Sequence, residues 1–489
     1  MRKLVFPIIV LALLMSGTMV HADNITLSQA KDVAAHFLQH NTSLERITPE
    51  DLTLVRQLDN EVLGVPSMYM FNANDCGWII IAGTTVLHPV VAYNDEGPMD
   101  FNDMPENAEG WFLGYNEGIK ATQIADAQKG LADSPEWFTL SNHNLKGNTK
   151  DTEVTFMSEK WGQGKPTKPT YNLYCPKVDG QYCYVGCVAT AMAQICHYYQ
   201  YPVKATGYRS YVWSSPSGNK TLQCRYSDSA IFDYSIMPDK VLQYSTSTES
   251  KIMVARLCYY LGVSVKMHYG IDGSGAQSED VPSAMKNFFK YKRGTQIYRN
   301  NVGTTEFISK MRADLLLKRP VYFSAYSPSS TGRDAGHAFL ATGYREVDQD
   351  FYYFNWGWDG SSNGWCNVTA NNMQANSEYN FTDGQDIIID MVPPADSTGG
   401  LYYPQVGISD VPEGIELGIA YPNPASYSVN LPYSAGQATE LKIFSVDGKM
   451  IESRSVAAGN GVVEVRVDEM PKGVYIYRMG DAYGKFIVK

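Results

Sequence analysis

One segment in the middle of the chain constrains the fold more than any other. Gly186 is followed by Cys187 and a run of eight mostly small and apolar residues, Val188–Ile195. The apolar side chains recur at i, i+3, i+4 and i+7, at Val188, Ala191, Met192 and Ile195. This spacing predicts a helix with one apolar face that begins at Cys187.

The position of Cys187 at a helix start has a chemical consequence. Free backbone N–H groups and the helix dipole stabilise a thiolate in the first turn. Gly186 permits the abrupt turn that such a start requires. Taken alone, a buried or disulfide-bonded cysteine is the commoner explanation, since cysteine is among the most buried residue types.

Two later segments supply partners for this cysteine. His337 opens a strand of small and apolar residues, and Asn355-Trp356 ends an aromatic strand 18 residues later. The order Cys, His, Asn with a wide first gap is typical of papain-like nucleophilic cysteines. In that chemistry an imidazole holds the thiolate as an ion pair, and hydrogen-bond donors stabilise the oxyanion.

The beginning of the chain predicts export. Arg2-Lys3 precede the apolar run Leu4–Met15, and Val20-His21-Ala22 offers a small-residue cleavage site. These are the parts of a secretory signal peptide, assigned here to residues 1–22. No later stretch is long and apolar enough to be a transmembrane segment.

Composition argues against several other functions. The net charge of −11 over 489 residues disfavours nucleic acid as a partner. The eight cysteines form no CxxC pair, so no structural zinc site is expected, although Cys175 and Cys183 are close enough in sequence to form a disulfide. His36 and His40 have no third ligand nearby and are interpreted as surface histidines, so no metal or cofactor is predicted.

The chain divides into three folded parts. Residues 23–150 form an α+β module with an amphipathic helix at Leu27–Leu38, ending in a polar segment that proteases could cut. Residues 151–394 contain Cys187 and its partners. After a linker over 395–411, residues 412–489 show short strands with a hairpin turn at Asp447-Gly448, which indicates a small β-sandwich.

Several motifs of the central part resemble the streptopain family of cysteine peptidases. They are Gly186–Ala191 with Ala193–Ile195, Tyr201-Pro202, Gly336–Phe339, Asn355–Trp358, Trp161–Gly164 with Tyr171-Asn172, Leu261–Gly270 and Gly384-Gln385. The resemblance implies an α+β, papain-like cysteine peptidase domain that hydrolyses peptide bonds through an acyl-enzyme.

The resemblance also implies roles for individual residues. Cys187 would be the nucleophile and His337 the general base and acid. Trp356 would flank the imidazole where other families use a hydrogen-bonding asparagine, which leaves Asn355 only as a candidate participant. The remaining implied roles are an oxyanion donor at Gln163, a substrate-backbone partner at Gly336, and a substrate-contacting loop residue at Ser274 or Gly275.

The flanking modules resemble known companions of such peptidases. Residues 73–103 and the helix entry at Met104–Asn107 resemble inhibitory propeptides. Tyr421–Ala425, Gly473-Val474-Tyr475 and Gly484-Lys485-Phe486 resemble the sorting domain of type IX secretion cargo. The implied partners are peptide substrates, the chain's own propeptide and the type IX machinery. The implied destination, reached through the periplasm, is the cell surface or the medium.

Two other interpretations stay open at this point. A papain-like acyltransferase or amidase would use the same cysteine and histidine but pass the acyl group to an amine or cleave cell-wall peptides. A surface adhesin that has kept the fold would need none of Gln163, Cys187 and His337, yet all three residue types are present.

Overall fold

The computed structural model describes most of the chain. The described residues are 24–141, 152–226, 231–327, 335–346, 349–368, 384–394, 415–417, 420, 423–445, 449–480 and 482–489. The signal peptide, nearly all of the cleavable segment, the 395–411 linker and the Asp447-Gly448 turn lie outside them.

Eight α-helices occur in the described part of the chain. They are α1 Leu27–Asn41, α2 Glu106–Lys129, α3 Pro135–Ser141, α4 Cys187–Tyr199, α5 Thr248–Ser264, α6 Val281–Phe289, α7 Arg299–Val302 and α8 Thr304–Leu316. Short 3-10 turns cover Pro49–Asp51, Tyr234–Ile236 and Ser278–Asp280.

Strands are present in all three parts of the chain. The N-terminal module contributes β1 Leu52–Asn60, β2 Val65–Ala73, β3 Gly77–Ala82 and β4 Val90–Asn94. The central part contributes β5 Thr152–Thr155, β6 Lys177–Val178, β7 Gln181–Tyr182, β8 Tyr208–Ser215, β9 Gly218–Arg225, β10 Thr295–Tyr298, β11 Val321–Ser327, β12 Ala335–Glu346, β13 Asp350–Asn355, β14 Gly364–Asn367 and β15 Asp386–Ile389. The C-terminal part contributes β16 Ile415–Leu417, β17 Ser428–Ala435, β18 Thr439–Ser445, β19 Met450–Val456, β20 Gly459–Arg466, β21 Gly473–Met479 and β22 Ala482–Val488.

The N-terminal module and the central part share one eleven-stranded sheet. Its order is β1-β2-β3-β4-β14-β13-β12-β11-β15-β10, with β5 paired to the second half of β12. The junction is the antiparallel pair β4–β14, in which Tyr93 lies opposite Trp365 and Ala92 opposite Cys366. The module therefore continues the sheet of the central part.

The two faces of this sheet are covered by different helices. Along β11 and β12, Tyr322, Ala338 and Leu340 pack in the same core as α4, α5 and α6. The alternate residues Phe323 and Phe339 pack instead in a core with α2 and α8. Side chains alternate between the faces of a strand, so one face depends on the nucleophile helix and the other partly on the N-terminal module.

Helix α2 buries an aromatic side chain, Trp111, against the second face of the sheet. The Trp111 ring centroid lies 5.2 Å from that of Phe354 and 5.9 Å from that of Phe323, in edge-to-face geometry. It also lies 6.0 Å from the ring centroid of Trp356. Edge-to-face pairs add about 0.5–1.5 kcal/mol each to the free energy of burial, so α2 is held by packing with the central part.

Close backbone packing and a buried cation complete this junction. A Cβ at Gly364 on β14 would come within 2.5 Å of the Trp78 ring on β3, so only glycine lets the two strands approach. The Tyr115 hydroxyl donates to the Asn367 carbonyl. The Arg345 guanidinium donates to the Asn41 carbonyl and the Tyr93 hydroxyl of the module, at 3.1 and 2.9 Å.

The C-terminal part is built from strands in the residues that the structure describes. One sheet has the order β16-β17-β20 and another β19-β18-β21-β22. Their inner faces bury Leu431, Ile443, Val465, Tyr477 and Phe486 in one core. The predicted class, α+β followed by a small all-β unit, is confirmed.

Two expectations about local structure need correction. Helix α4 begins at Cys187 as predicted, but all thirteen of its residues are buried, so it has no solvent face. His36 is buried and its Nδ1 lies 2.7 Å from the Leu140 carbonyl oxygen, so it is no surface residue. The disulfide that the sequence left open between Cys175 and Cys183 is not formed, since both cysteines are free.

The contribution of Trp111 packing to stability can be tested by replacing Trp111 with alanine in the full-length chain. The free energy of unfolding should fall by about 3–5 kcal/mol, because an indole buried among other rings is lost. The shift in the urea denaturation midpoint measures this. Tyr244→Ala, at a ring that is 90% exposed, is the control and should change stability by less than about 0.5 kcal/mol. Equal midpoints for Trp111→Ala and the natural protein would contradict the packing described here.

Candidate active site

The loop before α4 brings Cys187 to the helix start. Gly186 has φ +90°, and a Cβ there would meet the Met267 Sδ at 2.6 Å and the Ser274 carbonyl oxygen at 3.0 Å. Neither the backbone conformation nor the space admits a larger residue. Glycine at 186 thus lets the 267–274 loop close over the first turn of the helix.

Cys187 opens into a cavity of about 520 Å³. The cavity is lined by residues of α4, of the segment from the end of α5 to the 3-10 turn at Ser278–Asp280, and of strands β11 and β12. They are Cys187, Val188, Val265, Lys266, His268, Gly275, Ala276, Gln277, Ser278, Asp280, Ser324, Ala325, Gly336, His337 and Ala338. All of them belong to the central part of the chain.

The thiol of Cys187 experiences two opposing influences. Burial raises its pKa above the ordinary value, whereas hydrogen bonds from the N–H groups of Ala338, Val188 and Cys187 itself lower it. Burial is the larger effect. In this conformation the helix start alone does not produce a thiolate, and the sulfur needs a positive partner to ionise at neutral pH.

His337 lies on the rim of the same cavity but is not paired with the thiol. The next residue, Ala338, packs in the core that contains α4, and Phe339, two residues after His337, packs in the core that contains α2. The strand pairing is regular from Ser327–Ala335 to Val321–Ala341, so His337 projects from the face that carries Phe339. Within the described residues no hydrogen bond joins the imidazole to Cys187, and His337 Nδ1 is buried without a partner.

The charge of the imidazole follows from that position. Burial lowers the pKa of His337 to about 4. Above that pH the ring is neutral, because desolvation disfavours the imidazolium and no carboxylate among the described residues offsets it. The described structure therefore holds a protonated thiol and a neutral imidazole near neutral pH.

Gln163 lies beside the loop that carries Cys187. Its carbonyl oxygen accepts from the Val185 N–H at 3.1 Å, two residues before the cysteine. Its side chain is buried, and its Nε2 has no hydrogen-bond partner among the described residues. A buried amide donor without a partner costs about 1–3 kcal/mol, and such groups require a functional or structural reason.

Trp356 lies outside the cavity, on the α2 side of the sheet. It is fully buried, its ring centroid lies 4.6 Å from that of Phe339, and its Nε1 donates to the Ser362 carbonyl at 2.8 Å. The tryptophan and His337 therefore project from the same side of the sheet, while Cys187 faces the other side.

Asn355 also lies outside the cavity and makes no contact with His337 among the described hydrogen bonds. Its Nδ2 donates to Gln194 Oε1 on α4 at 2.8 Å and to the Glu159 carbonyl at 2.6 Å. Both amide hydrogens are thereby engaged away from the imidazole.

Of the remaining candidates, Gly336 and Gly275 line the cavity and Ser274 does not. Gly336 is exposed and lines the cavity beside His337. Gly275 lines it too and pairs with His268. Ser274 instead holds its own loop, since its Oγ donates to the Tyr184 carbonyl at 2.8 Å and accepts from the Gly270 N–H at 3.0 Å.

Some polar residues of this wall have no role in the sequence motifs. Ser324 lines the cavity, and its Oγ donates to Asp386 Oδ2 at 2.6 Å. Burial raises the pKa of Asp386 to about 6. Lys266 and Asp280 line the cavity and form an ion pair at 3.5 Å. For the Ser324–Asp386 pair, the only sequence signal was the position of Asp386 directly after the Gly384-Gln385 motif.

The described residues contain neither a metal-binding cluster nor a membrane-spanning helix. No group of three or more His, Cys, Asp or Glu side chains is arranged to hold a metal ion in the described part of the chain. None of the described helices is long and apolar enough to cross a membrane.

Comparison with known families assigns each of the three parts. Residues 161–366 match the Peptidase C10 family, residues 22–119 match the Spi protease inhibitor, and residues 419–489 match the secretion system C-terminal sorting domain. A sorting domain of this class indicates that the protein is exported to the cell surface or the medium.

Curated relatives cover most of the chain. Streptopain from Streptococcus pyogenes serotype M28 is 30% identical over 370 residues, which span 71% of this chain and 85% of that protein. The thiol protease/hemagglutinin PrtT from Porphyromonas gingivalis is 28% identical over 454 residues, 86% of this chain and 49% of that protein.

A solved structure shows the same fold. A fragment of Prevotella intermedia prointerpain A superposes with a TM-score of 0.54 at 21% identity, covering 70% of this chain and 99% of the fragment. The papain-like α+β architecture is therefore confirmed. The chain belongs to the streptopain (Peptidase C10) family, and it is a secreted cysteine endopeptidase made as a zymogen with an inhibitory propeptide.

Proposed function

We propose that Cys187 is the nucleophile of this peptidase, that His337 is its general base and acid, and that Gln163 is a donor to the oxyanion. One observation supports this assignment most strongly: Cys187 stands at the start of a buried helix and shares one cavity with His337. The Gln163 Nε2, which has no hydrogen-bond partner among the described residues and lies next to the nucleophile loop, supports the third role. Trp356 would form a wall for the imidazole.

These residues suffice for acyl-enzyme hydrolysis. His337 takes the proton of Cys187, and the thiolate sulfur attacks the carbonyl carbon of a peptide bond. The Cys187 N–H and Gln163 Nε2 donate to the resulting oxyanion. His337 then passes its proton to the amine as the C–N bond breaks and a thioester forms. Finally it accepts a proton from water as the water oxygen attacks the thioester carbon, and it returns that proton to the sulfur as the C–S bond breaks and the acid product leaves.

In this proposal the zymogen is inactive because of how the propeptide packs against the sheet. No propeptide segment needs to block the cleft. The residues that line the cavity all lie in the central part, so the described propeptide leaves the cavity open. Trp111 instead packs against Phe323, Phe354 and Trp356 on the face from which His337 projects. Removing α2 would free this face and allow the start of β12 to turn His337 toward the thiol.

The proposed maturation follows the order of the domains. Residues 1–22 would be removed on export, and cleavage within the polar segment before 151 would separate the 23–150 propeptide from the 151–394 peptidase. The 412–489 unit would engage the type IX secretion machinery, which is the partner of the sorting-domain class. Proteins and peptides would be the substrates of the activated enzyme.

The proposed roles predict a graded set of losses after activation. Cys187→Ala and His337→Ala should each lower kcat for a peptide substrate by about 10⁴-fold or more, because the nucleophile and its base act as a unit. Gln163→Ala should cost about 100-fold, since the Cys187 N–H remains as a donor. Cys224→Ala is the control, because Cys224 is as buried as Cys187 but does not line the cavity. A Cys187→Ala enzyme with more than a percent of normal turnover would exclude this mechanism.

The uncharged thiol and imidazole predict how the zymogen reacts with iodoacetamide. The His337 pKa of about 4 leaves the ring neutral at pH 6–8, and burial keeps the Cys187 pKa raised, so only the rare thiolate reacts. The alkylation rate at Cys187 in the uncut chain should rise about tenfold per pH unit between pH 6 and 8. Peptide mass spectrometry measures it, with the exposed Cys76 as an internal reference. A rate that is flat over this range would indicate an ion pair already formed in the zymogen.

A further inference from the structure

A buried amide on the nucleophile helix connects the three segments that carry the proposed machinery. Gln194 lies two turns after Cys187 on α4 and is fully buried. Its Oε1 accepts from Asn355 Nδ2 at 2.8 Å and from the Trp161 backbone N–H at 3.2 Å. Both bonds use the oxygen, so Gln194 acts here as an acceptor.

Asn355 extends this network to the neighbouring backbone. Its Nδ2 also donates to the Glu159 carbonyl at 2.6 Å, and its Oδ1 accepts from the Gly357 N–H at 3.1 Å. The 159–161 segment is therefore bonded at both ends, to Asn355 through the Glu159 carbonyl and to Gln194 through the Trp161 N–H. Its side chain is 2% exposed, so water does not compete for these bonds.

The segment held in this way leads directly to the proposed oxyanion donor. Gln163 follows Trp161 by two residues, and its own carbonyl is bonded to the Val185 N–H before Cys187. The two donors of the oxyanion site thus stand on separate pieces of chain. Their separation depends on the bond between the Trp161 N–H and an oxygen on the nucleophile helix.

We propose that Gln194 is a positioning residue for the oxyanion site, acting with Asn355 to fix the Trp161–Gln163 segment against the start of α4. The inference rests on the proposed role of Gln163. It also gives Asn355 a function different from orienting the histidine. Loss of the Gln194 oxygen would let Gln163 move relative to the Cys187 N–H, while the thiol itself would stay at the helix start.

Loss of the Gln194 oxygen should slow only the steps in which an oxyanion forms. Misplacing one donor by about 1 Å can cost on the order of 100-fold in rate. The Gln194→Met variant keeps a similar side-chain length but has no oxygen, so its kcat should fall about 10- to 100-fold. Its KM should change little, because the donors act on the transition state. Gln194→Glu retains acceptor oxygens and should restore most of the lost turnover.

The decisive experiment is a double-mutant cycle in the protein expressed as the full chain and then activated by removal of its propeptide. Gln194→Met, Gln163→Ala and the double variant are compared by kcat and by the rate at which iodoacetamide alkylates Cys187. If Gln194 acts through Gln163, the double variant should be no slower than Gln163→Ala alone. Alkylation forms no oxyanion, so its rate should equal that of the natural enzyme in all three variants.

Each other outcome overturns the inference in a recognisable way. Losses that multiply in the double variant would show that Gln194 acts independently of Gln163. An equal fall in alkylation and turnover would indicate general disruption of α4. Full activity of Gln163→Ala would remove the proposed oxyanion role itself, which distinguishes failure of the proposed function from failure of this inference. If Gln194→Met does not fold, Asn355→Ala removes the other bond to the Gln194 oxygen together with the bond to the Glu159 carbonyl, and it should give the same pattern with a smaller loss, because the Trp161 N–H bond to Gln194 remains.

Discussion

The structure depends on the burial of both faces of the strands that carry the histidine. One face of β11 and β12 is covered by α4, which brings Cys187, and the other by α2 and α8. The α2 helix and the β4 strand belong to the propeptide, and β4 pairs with β14. The sheet that carries the proposed histidine is therefore completed by residues of the inhibitory module, and in our proposal this couples the shape of the site to the presence of the propeptide.

The charge state of the site follows from the same burial. A histidine on a strand faces one side or the other, because side chains alternate, and His337 shares the side of Phe339. There it has no acidic partner in the part of the chain that the structure describes, and burial lowers its pKa to about 4. Cys187 on the other side keeps a raised pKa despite three N–H groups around its sulfur. Separation of the pair, and not occlusion of the cleft, makes the zymogen unreactive in our proposal.

Local patterns predicted the parts of this arrangement but not their contacts. The periodicity after Gly186 correctly indicated a helix beginning at Cys187, and the aromatic run correctly indicated a strand ending at Asn355. The β4–β14 pairing joins residues more than 270 positions apart, and no local pattern encodes such a pair. The burial of α4 on every side, the burial of His36 and the free Cys175 and Cys183 likewise depend on tertiary packing. Gln194 was visible as a polar residue in an apolar helix, yet its partner Asn355 could be found only in the folded chain.

The most direct measurement is the turnover of one preparation before and after the propeptide is removed. A full-length chain that carries a site for an added, specific protease within residues 142–151 would be assayed uncut, then cut and freed of the 24–141 fragment. Intact mass would verify both states. Peptide hydrolysis per mole should rise by at least about 100-fold, since a general base that cannot reach its nucleophile forfeits that much. Equal turnover from the uncut chain, with α1 and α2 still attached, would contradict the coupling between the propeptide and the site.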